Sequence, residues 1–155
     1  MSTEKYIAGA VASYTTVMST ELNSLASGNA LLGSTQLDNS SAGDMFADFS
    51  LKLASAAFVA PNFVALFLYP LHDDASTYGD GRFTSAAAMT AATAPTPYWV
   101  GNFALVAATQ AQYAEIIGVP LIFGAMKPVL WNQGGVNFGA SLNTLKWKTY
   151  NRQNA

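Results

Sequence analysis

Cysteine is absent from this 155-residue chain, and histidine occurs once, at His72. No disulfide framework, thiolate metal site or thiol nucleophile is therefore available. Charge is scarce as well. Charged residues make up 10% of the sequence against 51% hydrophobic ones, where a typical soluble domain carries about 25% charged residues. A surface so poor in charge fits a compact alanine-rich domain, or one covered by copies of itself or by a partner. The net charge of −2 offers nucleic acid no attractive field, so no nucleic-acid partner is expected. Long apolar runs are missing too. The longest, residues 63–71, falls far short of the roughly 20 residues that cross a bilayer, so no membrane association is predicted. Residues 6–14 follow Lys5 and contain an Ala10-Val11-Ala12 box. Cleavage there would leave an apolar region below the usual length of about 7–15 residues, and no signal peptide is predicted.

Catalytic signatures are equally sparse. The sequence holds no G-x-S-x-G nucleophile elbow and no G-x-x-x-x-G-K-[ST] phosphate loop; Gly79 with Gly81 and Gly134 with Gly135 lack the strand-to-helix context such loops need. His72, Asp73, Asp74 and Asp80 form the densest group of candidate metal ligands. Their spacing matches no calcium loop, which needs about six to eight oxygens, and a solvated turn is the competing reading. Asp48 and Glu115 are a carboxylate pair that could meet in space, as glycosidase acids do. Trp99, Trp131, Trp147 and seven tyrosines would suit a sugar- or base-stacking platform, but core or interface packing explains large aromatics more often. Lys146, Lys148 and Arg152 place three of the seven positive charges in the last ten residues. They read as a solvated strand face or as a basic end lying on an acidic partner. No enzyme and no cofactor are expected.

What the chain does carry is β periodicity. Met45, Ala47, Phe49, Leu51 and Leu53 alternate with Phe46, Asp48, Ser50 and Lys52, giving a strand with one apolar and one wetter face. Residues 62–69 are apolar on both faces, which suits a central strand covered on both sides. These two runs read as neighbouring strands. Ser19 or Thr20 would cap a short helix that Gly28 stops, with Leu22 and Leu25 turned to the core. Residues 31–37 read as a short strand and 38–44 as a loop. Residues 70–97 form a long irregular stretch, functional or mobile. Residues 98–119 allow a helix over 103–117, but their β-rich ends favour strand, turn and strand, with Trp99, Gly101, Phe103 and Leu105 on one side. Pro128 assigns its run to an edge or a bulge. Residues 142–150 close the fold, with Leu145 and Trp147 opposite Lys146 and Lys148. About seven or eight short strands point to a sandwich or jelly roll. Residues 1–18 are predicted as an N-terminal arm or edge strand and 19–155 as one β-sandwich domain.

Residues 20–28, Leu68-Tyr69-Pro70-Leu71 with Tyr78-Gly79-Asp80-Gly81, and residues 143–151 resemble a family of small tailed-bacteriophage virion proteins. The likeness runs from about residue 14 to 153. Its better understood relatives are capsid cement or decoration proteins with a jelly-roll fold. The resemblance implies an all-β, jelly-roll-like sandwich with a short N-terminal helix and extended termini. It also implies a non-enzymatic virion protein, made in the host bacterial cytoplasm, that sits on the capsid exterior. Its partners would be the major capsid protein and further copies of itself, as a dimer or trimer. No functional residue carries over. Edge strands and termini are the expected contacts, with Tyr14, Val17, Trp99, Lys146, Lys148 and Arg152 the candidates. A tail or adsorption component and a carbohydrate-binding sandwich are the alternatives, the latter requiring Trp99 or Trp131 to be exposed.

Overall fold

Alternation sets the first strand of the core: Ala47, Phe49, Leu51 and Leu53 are all buried within Phe46–Leu53. The computed structural model describes residues 4–8, 13–54, 56–58, 62–72, 76–83, 85–90, 93–94 and 98–154, the side chains of 4–8 and 152–154 excepted. Eleven strands lie among these residues: β1 (Glu4–Ala8), β2 (Thr15–Met18), β3 (Asn29–Leu32), β4 (Leu37–Asp38), β5 (Phe46–Leu53), β6 (Asn62–Pro70), β7 (Ala87–Ala88), β8 (Trp99–Leu105), β9 (Gln112–Pro120), β10 (Ala125–Gln133) and β11 (Thr144–Asn154). The first sheet runs β1-β11-β5-β9, with β2 also on β11. The second runs β7-β3-β10-β6-β8, with β4 also on β10. Every strand pair is antiparallel. The two sheets face each other across one core that includes Phe49, Leu51, Leu66, Phe103, Leu130 and Leu145. The chain is thus an all-β, two-sheet sandwich.

The runs around Phe49 and Leu66, expected as neighbours, lie in opposite sheets and meet across the core. β6 is apolar on both faces because both are covered. Val64 and Leu66 face the sandwich core, while Ala65, Phe67 and Tyr69 face outward into a second cluster with Tyr78, Phe83, Met89 and Trp131. Much of the long stretch between β6 and β8 therefore forms a third layer over the second sheet. Gly79 makes this possible. It adopts φ +55°, and a Cβ there would sit 2.2 Å from the Tyr69 ring. Gly79→Ala combines a left-handed backbone with an overpacked contact, and is expected to cost about 2–3 kcal/mol by denaturant unfolding. A loss within error of zero would mean that the layer yields freely.

Three local expectations need correcting. The helix is only the 3₁₀ turn Thr20–Leu22. Ser19 gives no side-chain cap; its backbone N–H donates to Glu21 Oε2 at 3.0 Å. Ser24 then turns away at φ 58°, donating its N–H to the Gly139 carbonyl at 3.1 Å. Leu22 and Leu25 are buried as expected. Pro128 lies inside a central strand, because β10 pairs with β6 on one side and with β3 and β4 on the other. Its carbonyl accepts from Gly33 N–H at 2.7 Å, on the side where the chain passes from β3 to β4. The missing N–H points to that same side, so the β6 ladder loses no donor. Finally, β8 is bulged: Leu66 pairs with Gly101 but Phe67 with Trp99. The extra residue reverses the alternation, turning Val100 to the core and Trp99 outward.

At the N-terminus, β1 and β2 share one edge of β11. Val17 and Met18 are 2% and 1% exposed within the core. Residues 15–18 are thus an edge strand of the sandwich, not a separable arm.

Candidate functional site

Loops at one end of the sandwich converge around Asn39. Its amide Nδ2 donates to the carbonyls of Asp44 at 2.8 Å and Ile122 at 3.1 Å, and its Oδ1 accepts from Asp44 N–H at 2.8 Å. Its own N–H donates to Gly124 O at 3.0 Å, and Leu121 N–H donates to Met45 O at 2.9 Å. Every polar group that ties this loop down is internal, so its apolar side chains are left to face outward. Phe123 is 76% exposed, and Met45, Trp99 and Ile122 are exposed beside it. Two shallow clefts flank the loop, one of about 290 Å³ beneath Phe123 and one of about 330 Å³ between Trp99, Leu68 and Met126. Pro120 lines both. An exposed apolar patch held in a fixed shape marks an interaction site on a protein surface.

A polar cluster occupies the outer face of the first sheet. Asp48 Oδ1 accepts from the Gly118 N–H at 2.9 Å and from the Tyr150 hydroxyl at 3.1 Å, and its Oδ2 pairs with Lys148 Nζ at 3.1 Å. Gly118, at φ +69°, is part of a bulge that puts Ile117 and Gly118 opposite Asp48, leaving an N–H that the carboxylate takes up. Lys148 Nζ also lies 4.9 Å from the Tyr14 ring centroid, and the Tyr14 hydroxyl donates to Glu115 Oε1 at 3.4 Å. Three expected contact residues, Tyr14, Lys146 and Lys148, therefore share this face. Asp48 and Glu115 share it too, but the Asp48 carboxylate is fully engaged in binding its own sheet. The strand β9 adds the exposed side chains of Tyr113 and Ile117 on the same side.

The remaining candidates are dispersed. Val17 is buried in the core and is corrected from a contact to a packing residue. Trp99 stands at the apolar end, its Nε1 donating to Asn102 Oδ1 at 3.2 Å. Trp131 is buried, its Nε1 donating to the Gly28 carbonyl at 3.1 Å, and Trp147 packs on Phe49. The backbone of Arg152 pairs with Tyr6; its side chain lies outside the described residues. Asp73 and Asp74 also lie outside them. His72 Nε2 meets the Gly79 carbonyl, and Asp80 is held by Arg82, whose Nε donates to it at 2.6 Å. Among the described residues, no three His, Cys, Asp or Glu side chains form a metal-binding group. Sequence reasoning missed Met45, Ile122 and Phe123. Their available signal was Leu121-Ile122-Phe123-Gly124, an apolar connection between two strands where a polar turn is usual.

Burial raises the phenols of Tyr14, Tyr69 and Tyr78 above their ordinary 10.0, and the Asp48 hydrogen bond raises Lys148 above 10.5. The unfolded chain thus releases these protons first. Their contribution to stability is full below pH 10 and falls as pH climbs through the folded values. Denaturant unfolding across pH 8–12 is expected to show a plateau and then an alkaline decline, reduced in Tyr69→Phe. A flat profile above pH 10 would contradict it. No helix among the described residues is long and apolar enough to cross a membrane. Comparison with family models, curated proteins and solved structures finds no match.

Proposed function

We propose that this chain is a non-enzymatic virion structural protein that decorates a tailed-phage capsid, bridging and stabilising its major capsid protein subunits. The observation that carries this reading is a low-charge sandwich with apolar side chains exposed on ordered backbone. They lie along β9, at Tyr113 and Ile117, and around the β9–β10 loop, at Ile122 and Phe123. A bridging subunit needs contact surface more than a cleft. Each contact would supply roughly 25 cal/mol per Å² of apolar area before association costs, multiplied by many copies on one shell.

The finer fold assignment is a jelly roll. Support for it comes from nested pairing, in which β2 pairs with β11, β3 and β4 with β10, β5 with β9, and β6 with β8. The cross-links β11·β5 and β10·β6 then join these pairs into two sheets. Such a chain is one long hairpin, doubled back between β6 and β8 and rolled up.

The first test is quantitative mass spectrometry of purified particles, with heads separated from tails. Copy numbers comparable to the major shell protein, in heads alone, are expected. A few copies confined to tails would favour the adsorption reading, and absence from both would end the virion reading. On β9, the double change Tyr113→Ser with Ile117→Ser is expected to lower particle occupancy several-fold. Its effect on stability should stay within about 0.5 kcal/mol, because both side chains are exposed.

Exposed Trp99 meets one condition of the carbohydrate-binding reading. The cleft beside it is otherwise lined by Leu68, Pro70, Tyr98, Val100, Pro120, Ile122 and Met126, so Tyr98 is the one further described lining residue with a polar side-chain group, where a sugar is oriented by several. A glycan-array screen with Trp99→Ala as control decides between a sugar and an apolar partner.

A further inference from the structure

The apolar end carries a projection and its recess side by side. Phe123 stands out at 76% exposure, and the Trp99–Leu68–Met126 cleft opens on the other side of Pro120 and Ile122. We infer that this end is the contact of a two-fold dimer, in which Phe123 of each copy fills the partner copy's Trp99–Leu68–Met126 cleft.

A two-fold interface must be complementary to itself, so one patch has to hold both halves of the fit. This one does. Because Pro120 lines both clefts, an axis near it exchanges knob and recess between copies. The cleft of about 330 Å³ has room for one aromatic side chain, and a buried aromatic in a central pocket is the usual anchor of an interface.

Charge favours a second copy over other occupants. Among the described residues that line either cleft, Asp44 is the one carboxylate and none is Lys, Arg or His. It is buried, and its Oδ1 accepts from Asn151 Nδ2 at 2.9 Å. Two such ends meet without setting like charges against each other, although each chain carries a net −2. An acidic or basic partner would find nothing here to pair with. A standard interface takes about 800 Å² per partner, a tenth of the 8004 Å² exposed by the chain. The Asn39 bonds to Ile122 and Gly124 hold the loop before contact, so association orders little new backbone.

Sedimentation equilibrium of the full chain, from about 1 to about 500 μM, tests this directly. The mass is expected to rise with concentration from 16.3 kDa to twice that value and stop there. Phe123→Ser and Ile122→Ser should each raise the dissociation constant at least about tenfold with unchanged thermal midpoints, whereas Tyr113→Ser should not change it. Tryptophan emission should shift to shorter wavelength on association, and Trp99→Phe should abolish the shift. A monomer at every concentration would overturn the inference, as would a trimer or a dimer indifferent to both loop changes. Loss of particle binding by Phe123→Ser in a chain that stays monomeric would assign the patch to another protein and overturn it equally. A dimer absent from every particle would leave it standing and remove only the virion reading.

Discussion

Asn132→Ala should destabilise the sandwich by about 4 kcal/mol, a large share of the roughly 5–15 kcal/mol that holds a domain together. The side chain is fully buried on β10. Its Nδ2 donates to the carbonyls of Leu25 and Val136, each at 2.9 Å, and its Oδ1 accepts from Gly134 N–H at 2.8 Å. Truncation takes the Asn132 partner from the Val136 carbonyl and the Gly134 N–H in a dry place, at about 1–3 kcal/mol each before relaxation, and leaves the Leu25 carbonyl with only the Phe138 N–H at 3.0 Å. Asn132→Asp should fare little better, since it keeps the acceptor for Gly134 but turns a carboxylate oxygen toward two carbonyls. Urea unfolding gives the number. A loss below about 1 kcal/mol would mean that water replaces the amide, and that Asn132 is not the centre of its loop cluster.

The same device recurs. Asn143 accepts from Ala54 N–H at 2.9 Å and donates to Gly139 O at 2.7 Å and Asn23 Oδ1 at 3.0 Å. Asn39 does the corresponding work beside Ile122. Three buried asparagines thus fasten long connections to the sheets of a chain that has no disulfide to do so. Charge adds little beside them: the ion pairs Lys148–Asp48 and Arg82–Asp80 are both at least partly exposed and individually weak.

Period-two alternation made β5, β8 and β11 legible in the sequence, because each buries one face of a pleated strand, and β-rich composition did so for the end of β9. The doubly apolar run of β6 likewise announced cover on both sides, though its outer cover is a loop layer and not another sheet. The parity of Trp99 was hidden, since a bulge at Val100 leaves no trace in composition. The position of Pro128 was hidden for a related reason. Proline excludes a donor on one side only, and which side faces a gap depends on where β3 ends and β4 begins. The apolar end was legible in part, through Trp99. Phe123 was passed over because single exposed hydrophobics are common, and only the folded chain shows Met45, Trp99, Ile122 and Phe123 gathered in one place. Asparagines look like loop residues in any sequence, so the hubs could not be told from solvated turns.

Removing residues 1–18 should abolish the cooperative thermal transition, whereas removing residues 1–12 should leave it within a few degrees of the intact chain. The longer deletion takes away Val17 and Met18, both in the central core, and deletion of such side chains costs roughly 2–5 kcal/mol apiece through lost burial and the cavities left behind. It also strips the pairing of β2 with Leu145, Lys146 and Trp147, and Tyr14 with its contacts to Lys148 and Glu115. The combined loss approaches the whole stability of a domain this size. The shorter deletion removes β1, whose partners are residues 150–154 of β11, of which only Tyr150 is also paired by β5. There β1 and β11 continue the first sheet as a two-stranded ribbon, which adds little by itself. Circular dichroism melts of the two truncations separate the cases. A cooperative melt near the intact midpoint after loss of residues 1–18 would show that β2 is dispensable and the core closes without it. Unfolding already after loss of residues 1–12 would place the boundary of the sandwich ahead of β1. Between those outcomes, the expected edge of the core falls at β2, where Val17 and Met18 are the first described side chains buried in it.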